Sequence, residues 1–391
     1  MPDASFGPSI AAGGALRYFG LPTPNARNAD TSAVVGVAKA PAFSVTRGFV
    51  ATGSFNLVLT SADAGAAIYF TTDGSVPTAN VAQRYVPAAG ITVASAAPGA
   101  PVSVTIRAFA IAPNLLASQS VAHTYVFSAQ LISQPAALAG FPDFAAINYS
   151  TQVGPRSRSL AMDAAALPTL AALASIPVLS LTAPMALTFG GASGYYDSWT
   201  PAMAAPVSIE LLEAQGNVMS ATGVAASAAG SAHAAGTAVG WAWSEMKRHL
   251  RVEITSTTGL DATLLATSPA WTNGASTAAG APVLGSLLLR GGNQRSWARA
   301  RNVAAVMLGA EDAFVRAQHA AVGGALALRS APVHVVLNGA YWGVYSAVEA
   351  PTQALAASRM GGDASAWFVA TNADGMLVAA SFGLNPRNMC T

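Results

Sequence analysis

Two acid–base groupings in the chain have residue types and spacing that chemistry can use. The first is "EMKRHLRVEIT", Glu245–Thr255. Read as a strand, with side chains alternating between faces, it sets Lys247, His249, Arg251 and Glu253 on one face and Leu250, Val252 and Ile254 on the other. A strand cation paired with a distant glutamate is an arrangement that holds nucleotide phosphates. The commoner outcome of the same pattern is a solvated strand face. The second grouping ends "VHVVLNGAYWGVYSAVE", Val333–Glu349. Asn338-Gly339 between two apolar runs is a hairpin turn signal, because type I′ turns need φ > 0 at both central positions. Glu349 closes the second run, and from pattern alone it reads as a surface charge. Gly343 inside that run signals a bulge or a close backbone approach. Tyr341, Gly343, Tyr345, Ala347 and Glu349 share a face only if such a bulge leaves the register unshifted.

Other chemistry is poorly supplied. The five histidines, His123, His233, His249, His319 and His334, never stand three or four residues apart, so no zinc or catalytic histidine pair is encoded locally. His249 and His334 sit in strand patterns and read as structural. No nucleophile elbow, phosphate loop or dinucleotide fingerprint occurs. The one cysteine, Cys390, excludes an internal disulfide and a cysteine metal site.

The elements that position these residues fall into three stretches. Residues 1–40 are rich in Gly, Pro and Asn, with one short strand and a linker. Residues 41–127 carry short Val-, Ile-, Thr- and aromatic-rich runs ("FNLVLTSA", "AAIYFTTDG", "GITVAS", "PVSVTIRAFAI", "SVAHTYVF") separated by turn residues, the pattern of an all-β sandwich. Thr71, Thr72 and Asp73 lie at one such turn and read as local backbone acceptors and donors. Residues 128–391 mix strand runs with helical stretches such as "DAAALPTLAALASI" and "SWARARNVAAVMLGAEDAFVRAQHAAVGGAL", an α+β pattern. The Ala- and Gly-rich 221–240 reads as a loop.

Only 9% of the residues are charged and 52% are hydrophobic, with a net charge of +2. About 25% charge is usual. Clustered basic residues are missing, so nucleic acid is not an expected partner. The charge-poor composition fits an extracellular or cell-surface protein. "MPDASFGPSIAAGG" has neither a basic start nor an apolar core, so a signal peptide is expected to lie outside this sequence. The uncharged stretch from Ala164 to Phe189 is long enough for a bilayer, but Pro168, Pro177 and Pro184 interrupt it, and its "IPVLSLTAP" reads as a buried strand; no membrane span is expected.

Three resemblances attach to these motifs. "APAFSVTRGFV", "AAIYFTTDGSVPTAN" and "VTIRAFAIAPNLLASQSVAHTYVF" resemble the Ig-like C-terminal domain of chitobiase and β-hexosaminidase. "SIPVLSLT", "APVSIELLEAQGN", "MKRHLRVEITSTTG", "LLLRGGNQRSWARARNVAAVMLG" and "VHVVLNGAYWGVYSAVEAPTQALAASRMGGD" resemble the spore-coat CotH-type atypical protein kinases. The first residues resemble the end of a lamin-tail domain and its linker. The CotH resemblance implies a kinase-like fold, ATP and Mg as cofactors, and transfer of phosphate to protein serine or threonine. It assigns Lys247, Arg251 and Glu349 to a nucleotide cleft and leaves open which of the two cations meets phosphate. The departures are specific. Arg301-Asn302 replaces Arg-Asp, and Ala350-Pro351-Thr352 replaces Arg-Pro-Asp. After Glu349 only Asp363 and Asp374 remain as acids that could bind metal or take a proton. The expected whole is an all-β Ig-like sandwich followed by a C-terminally incomplete α+β, kinase-like domain. It reads as a fragment of a larger protein and is inactive by itself. A non-catalytic adhesion protein with a cell-surface partner, or a glycan-associated one, is the alternative.

Overall fold

The computed structural model describes residues 4–21, 33–50, 53–73, 75–94, 102–127, 176–189, 204–212, 218–226, 250–254, 286–290, 328–371 and 377–382, with a few isolated positions besides. Within the chain are two compact units.

The first unit contains the sandwich, apart from Ser103 and Val126–Phe127 at two strand ends. Strands β1 (Ser54–Leu57), β2 (Ala67–Thr71), β3 (Ile91–Ala94), β4 (Ser103–Ile111) and β5 (Val121–Phe127) are its principal elements. β1 pairs with β3 antiparallel, Leu57 opposite Ile91 and Phe55 opposite Val93. β4 lies between β5 and β2 in a larger sheet. The alternation of β4 sends Ile106, Ala108 and Ala110 to one face, all buried, with Leu57, Val93 and Tyr125 also in the core. Phe55 meets Tyr125 edge to face at 5.0 Å, a favoured aromatic geometry. The Thr71–Ser75 turn is closed locally. Thr71 Oγ1 donates to the Ser75 carbonyl at 2.7 Å, and Asp73 Oδ1 accepts from the Ser75 N–H at 3.1 Å and its hydroxyl at 2.5 Å. Ahead of the sandwich, Ser5–Pro8, Leu16–Phe19 and Ala33–Val34 form a three-stranded antiparallel meander. Phe19 is buried, but Phe6 and Leu16 on the opposite face are each 57% exposed.

The second unit is built on a closed barrel. Its strands are β6 (Val178–Thr182), β7 (Ala204–Leu212), β8 (Val218–Ala226), β9 (Leu250–Ile254), β10 (Ser286–Arg290), β11 (Ser330–Leu337) and β12 (Ala340–Glu349). Around the barrel the order is β6, β7, β8, β9, β10, β12, β11. All neighbours are antiparallel except β6 and β11, which close the ring in parallel, Val178 opposite His334 and Leu181 opposite Leu337. A single buried cluster takes alternate residues from six of these strands, among them Leu179, Leu181, Ile209, Leu250, Val252, Leu287, Val333, Val335 and Tyr345. In a closed barrel such a set is the lumen, which is therefore filled by side chains.

Pro177 precedes β6 and Pro184 follows it, and the Ala164–Phe189 stretch folds from Val178 onward as a barrel strand and a short helix, Met185–Phe189. Among the described residues no helix is long and apolar enough to cross a membrane. The α+β, kinase-like arrangement expected of residues 128–391 is not shown: the described part is dominated by the barrel. The helical stretch expected at 296–326 is described only at Phe314, Gln318, His319 and Ala321, which are helical, and at Val322 in a turn. "DAAALPTLAALASI" lies outside the described residues up to Ser175.

Candidate functional site

The hairpin of β11 and β12 positions the residues of interest. Asn338 (φ 49°) and Gly339 (φ 86°) make the two-residue turn, with Leu337 opposite Ala340. The Asn338 side chain also ties the turn down. Its Oδ1 accepts from the Ala183 N–H at 2.8 Å and its Nδ2 donates to Thr188 Oγ1 at 3.0 Å. The register shifts once, between Val335 and Val336, because Trp342 is inserted without an opposing residue. Gly343, at φ 95°, supplies the backbone conformation that this bulge needs.

That shift decides the face of every residue beyond it. Val335 and Val333 point into the lumen. Without the bulge they would oppose Trp342 and Val344, and counting on would send Glu349 outward. With it they oppose Gly343 and Tyr345, and Tyr345, Ala347 and Glu349 take the inner face. Tyr341, before the bulge, stays on the outer face. There its hydroxyl meets His334 Nδ1 at 3.0 Å, and burial pushes the phenol above its ordinary value. Tyr341 and Glu349 therefore do not share a face. His334 is buried and is a structural partner of Tyr341.

Glu349 lies at the lumen's end, opposite Leu287, which in turn opposes Val252. One carboxylate oxygen takes two partners from the same region of the fold. Oε2 accepts from the Arg359 guanidinium at 2.5 Å and from the Arg329 N–H at 2.6 Å. Glu349 is 3% exposed and Arg359 11%. Arg359 comes from α1 (Gln353–Met360), a helix begun by Thr352, whose Oγ1 accepts from the Leu355 N–H at 3.1 Å, and ended at Gly361 (φ 85°). The helix is fixed at both ends to the next segment. Gln353 Nε2 donates to the Trp367 carbonyl at 2.6 Å, and Trp367 Nε1 donates to the Gly361 carbonyl at 3.0 Å. Asp363, one of the two remaining acids, caps the turn Ala364–Ala366: its Oδ1 accepts from the Ser365 N–H and hydroxyl, both at 2.7 Å. Those hydrogen bonds hold its carboxyl below the ordinary value.

Arg251 sits elsewhere. It opposes Leu288, which opposes Val348, so it belongs to the outer face while Glu349 belongs to the lumen. The sheet wall separates the two. Lys247, His249 and Asp374 lie outside the described residues. Among the described residues no group of three His, Cys, Asp or Glu side chains stands together as a metal site. Among the described residues, Glu349 and Arg251 do not converge on a Mg-nucleotide: the acid is paired with Arg359, and Arg251 is on the other face of the same sheet wall. Arg359, the partner Glu349 takes, was missed because nothing in "QALAASRM" beyond helical composition marks it.

The described part is strand-rich with few helices: a sandwich in one unit and a seven-stranded closed barrel in the other. Residues 46–123 match the family model of the chitobiase/β-hexosaminidase C-terminal domain, so the Ig-like resemblance of the sandwich holds. No curated protein and no solved structure matches the chain.

Proposed function

We propose that this chain is a non-catalytic module of an extracellular or cell-surface protein, in which the sandwich and barrel serve binding or adhesion. The carrying observation is the Glu349–Arg359–Arg329 contact, with Arg251 on the outer face of the same wall. A phosphoryl-transfer site needs its cation, carboxylates and metal converging on one point. Here one acid braces a helix and another caps a turn. The CotH-type motifs support descent from, or inclusion in, a larger kinase-like protein; phosphate transfer from Mg-ATP to serine or threonine would then belong to parts other than the residues described.

Titration calorimetry of the full chain with ATP and Mg²⁺ tests this reading. The expected outcome is no saturable heat. Saturable binding that Arg251→Ala abolishes, or phosphate transfer to a protein acceptor, overturns it.

A further inference from the structure

One face of the sandwich sheet carries a row of three residues that lie outside the sandwich core. Phe109 on β4 stands directly opposite Tyr69 on β2, and Tyr69 stands directly opposite Arg84 in an isolated antiparallel bridge. Opposed residues point to the same side of a sheet. The row is independent of the core, because the neighbours Ile68 and Tyr85 are buried on the other face. Tyr69 and Phe109 stack at 5.6 Å with 26° between their planes. Both are half-buried, and Arg84 is exposed. Ala67 and Ile111, opposed on the same face, extend the apolar surface beside them.

From this row we infer a shallow binding strip for a neutral pyranose oligosaccharide. The chemistry is complementary: aromatic rings receive the C–H faces of sugar rings, and the guanidinium donates several hydrogen bonds to ring hydroxyls. Two strand spacings of about 4.8 Å make the row about 10 Å long, the length of two linked pyranose rings. Such a row is far smaller than the roughly 800 Å² per side of a specific protein interface, which favours a small ligand over a docked protein. The matched family's description, a domain of hexosamine-processing enzymes, agrees with a sugar ligand. This inference rests on the reading of the chain as a binding module.

Saturation-transfer NMR and titration of the full chain with the tetramer of N-acetylglucosamine are the test. Weak saturable binding is expected. Tyr69→Ala and Phe109→Ala should weaken it at least tenfold, Arg84→Ala several-fold, and Phe6→Ala, on an exposed aromatic of a different sheet, not at all. If Tyr69→Ala melts early, Arg84→Ala carries the test, since that side chain is outside the core. No saturable binding by the unaltered chain, or binding unchanged in Arg84→Ala, overturns the strip. Failure here leaves the non-catalytic reading standing, whereas ATP binding sinks that reading whatever the sugar does.

Discussion

Replacing Glu349 by glutamine removes one charge from a buried pair and keeps the side chain's shape. At an effective dielectric near 20, two unit charges about 4 Å apart attract by about 4 kcal/mol. The amide oxygen can still accept from the Arg329 N–H, so that hydrogen bond, worth about 1 kcal/mol, is retained. Arg359 is 11% exposed and can recover part of its hydration by turning outward. The net loss should be about 3 kcal/mol, at the lower end of the cost of breaking a buried pair. Urea unfolding followed by tryptophan fluorescence should show the midpoint fall by on the order of 1 M. The paired replacement Glu349→Leu with Arg359→Met should recover at least half of the loss, since apolar residues of similar size often substitute for a buried pair without penalty. A coupling energy near zero in the double-mutant cycle, or a Glu349→Gln loss below about 0.5 kcal/mol, would refute the view of Glu349 as a brace.

Two further outcomes are expected of the same fold. His123 stacks on Phe43 at 3.9 Å; burial first, then the Arg47 charge, lower its pKa to about 3, against a partial offset from a backbone hydrogen bond at Val45. The folded state is therefore neutral at His123 where the unfolded chain binds a proton, so stability is full above about pH 6.5 and falls on acidification toward pH 3. At pH 5 the loss from this group should be about 2 kcal/mol, read as a difference in thermal or urea stability that His123→Phe flattens; equal pH slopes for the two proteins would contradict it. Gly343→Val forces a β-branched residue into φ 95° and should cost about 2–3 kcal/mol, with loss of the buried Tyr341–His334 contact visible by NMR.

Local chemistry was legible where it repeats with a short period. The run "PVSVTIRAFAI" read as a strand, and β4 forms there, with Ile106, Ala108 and Ala110 on one face and Phe109 on the other. Asn338-Gly339 declared its turn, because few residue pairs tolerate two positive φ angles in succession. Closure of the barrel was not legible. It depends on β6 meeting β11, strands more than a hundred residues apart, and parallel pairing leaves no turn signature between them. The Glu349–Arg359 contact was hidden for a related reason. Thr352 and the helix that follows bring Arg359 back to the strand end, and a charge ten positions away carries no periodic signal. The sandwich face of Tyr69 and Phe109 was half visible: both strands were evident, but their register was not.

The fate of Glu349 turns on one inserted residue. A sheet has two sides, and a strand charge meets only the groups on its own side. With the turn fixed at Asn338-Gly339, the register counted from Leu337 and Ala340 alone would put Glu349 on the outer face, the side of Arg251. The Trp342–Gly343 bulge moves it by one position to the lumen's end, within reach of Arg359. Gly343 was visible in the sequence as a bulge signal, but the direction of the shift depended on which strand held the extra residue. A cation and an acid in suggestive motifs thus identify no cleft until the parity of the strands between them is known, and here that parity assigns Glu349 to the fold.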